Sequence, residues 1–236
     1  MLIFVDVETT GLEQADVLCS IGLLYEKQNS LHVKYDLVNE GKKIPPLASS
    51  INNITNEMIT EKPRFEQTEC FKILSDNIDK SLLIAHNVSF EMMILAKYGF
   101  DQVYEFIDTL RVTRHLINDL ESYSLNFLRY EMKLYRKEKI FLEKLGIEEK
   151  KLCPHDAFSD VIITKLLFDE LLELSSVEEM KELSIKPVLM QKFEFGKYSG
   201  RYIEEIAMSD RGYLEWMLHT IEDLSEDMRY SLEYYL

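Results

Sequence analysis

Asp6 and Glu8 stand two residues apart at the end of an apolar run, residues 1–8, whose texture predicts a β-strand. Side chains alternate across a strand, so both acids leave the same face. Two carboxylates on one face repel each other and lower strand propensity. A buried strand tolerates the pair when a cation compensates it. At a sheet edge or terminus water does the same, and on the tripeptide alone the two readings stand level. Hard divalent cations such as Mg²⁺ and Mn²⁺ prefer oxygen ligands, so carboxylates suit them where thiols do not. A further place sets an imidazole near an acid: His155 with Asp160. His155 lies five positions before Asp160 with a helix start between them, which lets both converge on one site; without Asp160 it reads as surface. His86 reads as structural, its ring hydrogen-bonded near a strand end. Asn87 reads as a residue that fixes the loop or touches substrate.

The elements that must position these residues follow from periodicity. Residues 17–25 and 31–38 are two more strand candidates, joined across 27–30 as an antiparallel hairpin. Ile44-Pro45-Pro46 opens a connector expected to be extended as far as residues 51–54. Residues 65–78 repeat apolar positions at helical spacing. Residues 82–85 form a short buried strand, followed by a helix over about 90–98, a strand over 103–107 and helices over 109–117 and 124–134. The charged stretch 135–151 has no clear pattern, and lid or bystander both remain open for it. Residues 156–174 form a strong helix with a broad apolar face. Strands first, then alternating helices and strands, predict an α/β fold: a mixed sheet flanked by helices.

Three stretches, in order, resemble the exonuclease motifs of the DEDD superfamily in its histidine variant, the family of polymerase proofreading subunits. They are Asp6-Val7-Glu8-Thr9-Thr10-Gly11, His86-Asn87-Val88-Ser89-Phe90-Glu91 and His155-Asp156-Ala157-Phe158-Ser159-Asp160. The first and third match the family patterns D-x-E-T-T-G and H-x-A-x-x-D fully. The second matches H-N-x-x-F-D except at its last position. Ile54-Thr55 and Asp108-Thr109-Leu110 resemble lesser landmarks of the family, although Thr55 and Asp108 are also good helix N-caps in their own right. The resemblance covers about residues 1–172. It implies a ribonuclease H-like mixed five-stranded sheet flanked by helices, and two divalent ions, Mg²⁺ or Mn²⁺, held by Asp6, Glu8, Glu91 and Asp160 with Asp6 bridging them. Phosphodiester hydrolysis needs an activated water and stabilisation of the attacking and leaving oxygens, which two such ions supply together. His155 is the expected proton acceptor, since an imidazole titrates near working pH. Thr9, Thr10 and Gly11 are expected to meet the 3′-terminal nucleotide through backbone and hydroxyl groups, and Leu12 to wedge against the last base; a plain turn at Thr10-Gly11 is the competing reading. Glu91 departs from the aspartate usual in the family and reaches one methylene further. That shifts the second ion, weakens it, or is absorbed by the local backbone. A weakened site would leave a nucleic-acid binder with little catalysis.

The chain has 236 residues, 46% of them hydrophobic, enough for one large domain or for a large domain and a small one. Its formal net charge of −15 argues against a protein that coats DNA but not against an enzyme that grips a strand end beside bound cations. Neither a signal peptide nor a membrane-spanning run is read in the sequence. Cys19, Cys70 and Cys153 are isolated and read as reduced thiols, and a cytoplasmic location is expected. Boundaries are expected at residues 1–174 for an exonuclease domain, 175–187 for a polar helical linker and 188–236 for a small aromatic and glycine-rich module. Within the last, Phe195-Gly196-Lys197-Tyr198-Ser199-Gly200 followed by Tyr213-Leu214-Glu215-Trp216 resembles the small domain found after exonucleases of the exonuclease X type. A tight hairpin around Lys197-Tyr198 is expected there, with Phe195, Leu214 and Trp216 in the module's core and Lys197 and Arg201 on substrate phosphates. The combined reading is a metal-dependent 3′–5′ exonuclease acting on single-stranded or 3′-ended nucleic acid, DNA preferred over RNA. Trimming of short RNA is the alternative within the class, and a non-catalytic nucleic-acid-binding or polymerase-associated adaptor the alternative outside it. A polymerase partner stays open.

Overall fold

In a computed structural model of the chain, residues 1–28, 30–77, 80–101, 105–147 and 151–236 are described. Strand β1 (Leu2–Thr9) runs antiparallel to β2 (Leu18–Lys27), which runs antiparallel to β3 (Ser30–Leu37). After α1 (Pro46–Asn52), the single turn α2 (Asn56–Ile59), a 3-10 turn (Phe65–Gln67) and α3 (Glu69–Asn77), β4 (Leu82–Ala85) joins the other edge of β1 in parallel. Helix α4 (Val88–Ala96) leads to β5 (Glu105–Asp108), parallel to β4, which completes a mixed five-stranded sheet of order β3-β2-β1-β4-β5. Helices α5 (Thr109–Leu116) and α6 (Leu125–Glu131), a second 3-10 turn (Leu134–Arg136) and α7 (Glu138–Lys144) precede the long α8 (Ala157–Leu172). Beyond it come α9 (Val177–Ile185), α10 (Ile203–Ser209), α11 (Arg211–Thr220) and α12 (Glu226–Tyr235).

The period of two in β1 sorts its side chains between two cores. Phe4 joins Leu24, Ile84 and Ile107 beneath α8, with its ring 5.3 Å edge-on from Phe168. Ile3, Val5 and Val7 face the opposite layer, where α3 and α4 contribute Leu74, Ile94 and Leu95. Both faces are therefore covered, and each fully buried aromatic or branched side chain contributes roughly 1.5–3 kcal/mol. Helix α8 is buried around most of its circumference because it crosses the middle of the sheet. The connector is helical over Pro46–Asn52 where an extended run was expected: Pro46 occupies the first helical turn, where its missing N–H costs nothing. Thr55 precedes α2 without a side-chain cap, whereas Asp108 caps α5 by accepting the Leu110 and Arg111 N–H groups. The strand expected from residue 103 is described from Glu105; residues 103 and 104 lie outside the described residues, as do Asn29, expected in the hairpin, Ile78, expected to close the helix over 65–78, and residues 148–150 of the charged stretch.

Helix α9 packs on the sheet domain: Met180 is buried in the α8 core, and Ser184 lies against β5. A separate core holds Phe193, Ile203, Ile206, Leu214, Met217, Leu224, Met228 and Leu232. Two residues expected in that core are exposed, Phe195 at 43% and Trp216 at 50%. The chain bends after Phe193, which takes the buried place, and Trp216 sits off the Leu214–Met217 face of α11. The hairpin shrinks to one antiparallel bridge, Lys192 with Tyr202, closed by a turn in which Gly196 and Gly200 take the left-handed φ of 81° and 82°. Among the described residues no helix is long and apolar enough to cross a membrane.

Candidate active site

β1 presents Asp6 and Glu8 on the side it shares with Phe4, facing α8. Opposite Asp6 on β2 is Gly22, and a Cβ there would lie 2.1 Å from the Ala157 carbonyl oxygen. That absent side chain lets the first turn of α8 lie directly on the sheet beside Asp6. The register slips between Glu8 and Thr9, a bulge that ends regular pairing just past the second acid.

Asp160 sits in the first turn of α8, and its Oδ2 accepts the His155 N–H at 2.9 Å. His155 holds a left-handed φ of 58°, a conformation seldom taken without glycine, so the turn before α8 is bent back on its own helix. Glu91 arrives from α4, whose start is fixed by Asn87 at φ 77°. The Asn87 N–H donates to Asp108 Oδ1 at 3.0 Å, and the Asp108 N–H donates to Ser184 Oγ at 2.9 Å. Asp108 thus joins the end of β5 to the second motif.

These elements bring Asp6, Glu8, Glu91 and Asp160 together. Donor atoms of Glu8, His155 and Asp160 all lie within 4.8 Å of one another. Asp6 and Glu91 stand outside that trio, within range for their charges to act on it. Burial, then the charges of Asp160, Glu91 and Glu8, push Asp6 well above the usual carboxylate range. Burial followed by Asp160 and Asp156 lifts Glu8 to about 8. Burial lifts Asp160 to about 7, although the His155 N–H opposes the rise. Glu91 is likewise raised by burial, and its Oε2 is buried without a hydrogen-bond partner. Four crowded carboxylates with an orphaned oxygen cannot all ionise unless a cation joins them. Hard oxygen donors beside one imidazole fit a divalent ion such as Mg²⁺ or Mn²⁺.

The loop after β1 is tightly held. Thr9 and Thr10 are buried; the Thr9 hydroxyl donates to the Gly11 carbonyl at 2.6 Å and the Thr10 hydroxyl to Asp16 Oδ1 at 2.7 Å. Lys42 meets the same carboxylate at 2.7 Å, and its hydrogen bond with that of Thr10 holds Asp16 down to about 2. Gly11 packs against Asp16, where a Cβ would fall 2.4 Å from Oδ2. Leu12 projects, 80% exposed. Lys197 and Arg201 lie in the C-terminal segment, paired with Asp210 at 3.2 Å and Glu205 at 3.4 Å. His86 is structural: its ring nitrogens meet the Thr109 hydroxyl and the Tyr123 carbonyl, and burial lowers it to about 4. A cleft of about 520 Å³ between the α5–α6 turn and residues 188–200 is lined by His86 but by none of the four carboxylates.

Several residues at the site escaped the sequence reading. Asp156 adds a fifth carboxylate beside Glu8 and accepts the Ser159 hydroxyl at 2.6 Å. Its place within the third motif was the available signal. Gly22 and Asp16 carry no sequence signal, because their roles depend on what the fold lays against them.

A ribonuclease H-like sheet with acids converging from β1, α4 and α8 defines a nuclease. The Exonuclease family model matches residues 3–168, well over half of the chain, and the protein belongs to that family. A second model, Exodeoxyribonuclease X-like C-terminal, matches residues 193–222. Among curated proteins, Exodeoxyribonuclease 10 of Escherichia coli (strain K12) is 29% identical over 239 residues, covering 100% of this chain and 99% of that protein. The 3′-5′ exonuclease DinG of Bacillus subtilis (strain 168) is 28% identical over 181 residues, 72% of this chain and 17% of that protein. Among solved structures, exonuclease X in complex with 5′ overhanging duplex DNA has the same fold, with a TM-score of 0.57 at 24% identity over 78% of this chain and 99% of that one.

Proposed function

We propose that the protein is a metal-dependent 3′–5′ exonuclease that hydrolyses DNA from its 3′-hydroxyl end and releases nucleoside 5′-monophosphates. The observation that carries this reading is the grouping of Glu8, His155 and Asp160, whose ligand atoms lie within 4.8 Å of one another, with buried Asp6 and Glu91 near enough for their charges to act on the group and Glu91 Oε2 left without a hydrogen-bond partner. Asp6, Glu8, Glu91 and Asp160 would hold two divalent ions, Mg²⁺ or Mn²⁺, which supply an activated water and charge stabilisation on the phosphate oxygens. His155 takes the proton of the attacking water, and its backbone bond to Asp160 holds the turn that carries the imidazole. Since the hydroxyls of Thr9 and Thr10 are committed within the loop, the terminal nucleotide meets the backbone there and the projecting Leu12 side chain. Lys197 and Arg201 would exchange their carboxylate partners for substrate phosphates. Full-length likeness to a protein named as an exodeoxyribonuclease, including the C-terminal match, supports DNA over RNA.

The test is a time course on 5′-labelled single-stranded DNA and on the matching RNA, with Mg²⁺, Mn²⁺ or chelator, beside the Asp6→Asn protein. A ladder shortening from the 3′ end, absent with chelator and with Asp6→Asn, is the expected result, with DNA the faster strand. No ladder with either metal, while binding persists, would overturn the catalytic reading and leave a binding protein impaired at Glu91.

A further inference from the structure

The stretch from the end of α6 through α7 holds a surface that the hydrolytic chemistry does not use. Residues 129–144 carry six basic side chains, Arg129, Lys133, Arg136, Lys137, Lys139 and Lys144, against three glutamates, in a chain whose net charge is −15. Tyr130 is 57% exposed and Tyr135 is 41% exposed, with ring centroids 5.6 Å apart. Arg129 lies over the first ring at 5.5 Å and Arg136 over the second at 5.8 Å. Two tyrosines left in water beside cations do not serve the core; they present aromatic faces and positive charge together, the pairing that holds bases and phosphates of a single strand.

The surface is fixed in relation to the acidic cluster. Leu128 and Leu134 are fully buried in the core that α8 shares, so α6 and the following 3-10 turn are anchored to the helix bearing Asp160. Arg129 is itself buried, forks onto Glu138 at 2.6 and 2.8 Å, and stands near enough to Asp160 for the two charges to interact. From Asp160 the path runs through Arg129 to Tyr130, Tyr135 and Arg136. Lys133 and Lys139 are exposed on the same segment.

We propose that Tyr130, Tyr135, Lys133, Arg136 and Lys139 form the track that holds the nucleic-acid strand 5′ of the nucleotide being cleaved. This rests on the exonuclease reading above and adds to it the surface that keeps a long strand engaged between cleavages. A polyanion with exposed bases is the partner the charges and rings fit; a protein docking here is the outcome the test would reveal instead.

The test compares Tyr130→Ala/Tyr135→Ala and Lys133→Glu/Arg136→Glu proteins with the unaltered chain on two substrates. One is a 12-nucleotide single strand, as DNA and as RNA. The other is p-nitrophenyl thymidine 5′-phosphate, which reaches the acidic cluster alone. For the 12-mer, KM should rise by about tenfold or more with kcat little changed, and hydrolysis of the small ester should stay the same. Strand binding measured by fluorescence anisotropy in the Asp6→Asn background should weaken by a similar factor, and its salt dependence should flatten in the charge-reversed protein. Equal behaviour of DNA and RNA would show that the track reads the strand and not the sugar. An unchanged KM and unchanged anisotropy would overturn the proposal. Loss on both substrates alike would mean that the substitutions act on the site itself. If the unaltered chain hydrolyses neither substrate, the exonuclease reading fails, and the anisotropy titrations still decide whether the track binds a strand.

Discussion

His155 combines two jobs in one residue, a left-handed turn and an imidazole, and substitution can separate them. Asparagine tolerates the left-handed region well. His155→Asn should therefore keep the turn and the bond to Asp160 while lowering kcat by about 10²–10⁴-fold. Metal binding, read as the Mg²⁺-induced rise in Tm, should survive; losing it together with activity would make His155 a ligand and not a base. Gly22 makes the opposite kind of contribution, by what it lacks. In Gly22→Ala the new methyl meets the Ala157 carbonyl, and α8 must move off the sheet. We expect about 1–3 kcal/mol of lost stability in urea unfolding, with activity falling further than stability because Asp160 moves with the helix.

Among elements, α8 and α9 divide the work between chemistry and support. α8 carries Asp160 at its buried first turn. α9 holds no proposed site residue, yet its Ser184 hydroxyl receives the Asp108 N–H, and Asp108 in turn pins Asn87 at the start of the helix bearing Glu91. Ser184→Ala leaves a buried N–H without a partner, which costs about 1–3 kcal/mol. Differential calorimetry should show that loss, and Mg²⁺ titration should show weakened affinity; unaltered affinity would restrict Ser184 to stability. The second motif was legible in sequence, whereas its prop some 90 residues downstream was not, since a serine in a polar helix has no pattern pointing to β5.

At the scale of the whole molecule, the C-terminal segment is tied to the sheet domain by charge. Arg111 of α5 forks onto Asp227 of α12 at 2.9 and 3.0 Å, Asp227 also accepts the Val188 N–H, and Arg114 meets Glu194 at 2.8 Å. The acidic cluster is the opposite case, like charges gathered in a folded chain. Glu8 at about 8 and Asp160 at about 7 return to ordinary carboxylate values near 4 on unfolding. Without metal the folded state binds more protons than the unfolded one between roughly pH 4 and 8, so its stability falls as pH rises through that window. His86, held near 4, works the other way below about 6.5, which makes pH 6.5 to 8.5 the clean interval. With chelator, Tm should drop across it, and saturating Mg²⁺ should raise Tm more at pH 8.5 than at 6.5. In Asp6→Asn the drop should be smaller; a flat profile in the unaltered chain would contradict the crowding of these acids.

Sequence by itself determined the sheet, because the apolar runs of β1 and β2 and a long apolar face in α8 leave few ways to bury those surfaces. Through the motif resemblance it also singled out Asp6, Glu91 and Asp160, acids that the structure brings near one another. Tertiary structure alone decided how they meet. Gly22 admits α8, Asp108 and Ser184 set Glu91, and Asp16 with Lys42 takes up the Thr10 hydroxyl. The exposure of Phe195 and Trp216 was also decided there, since composition reports that aromatics are present but not which of them a bend turns outward. The physical reason is common to all of these: local periodicity encodes which face is buried, whereas contacts between distant segments depend on shapes that exist only once the sheet and its helices have packed.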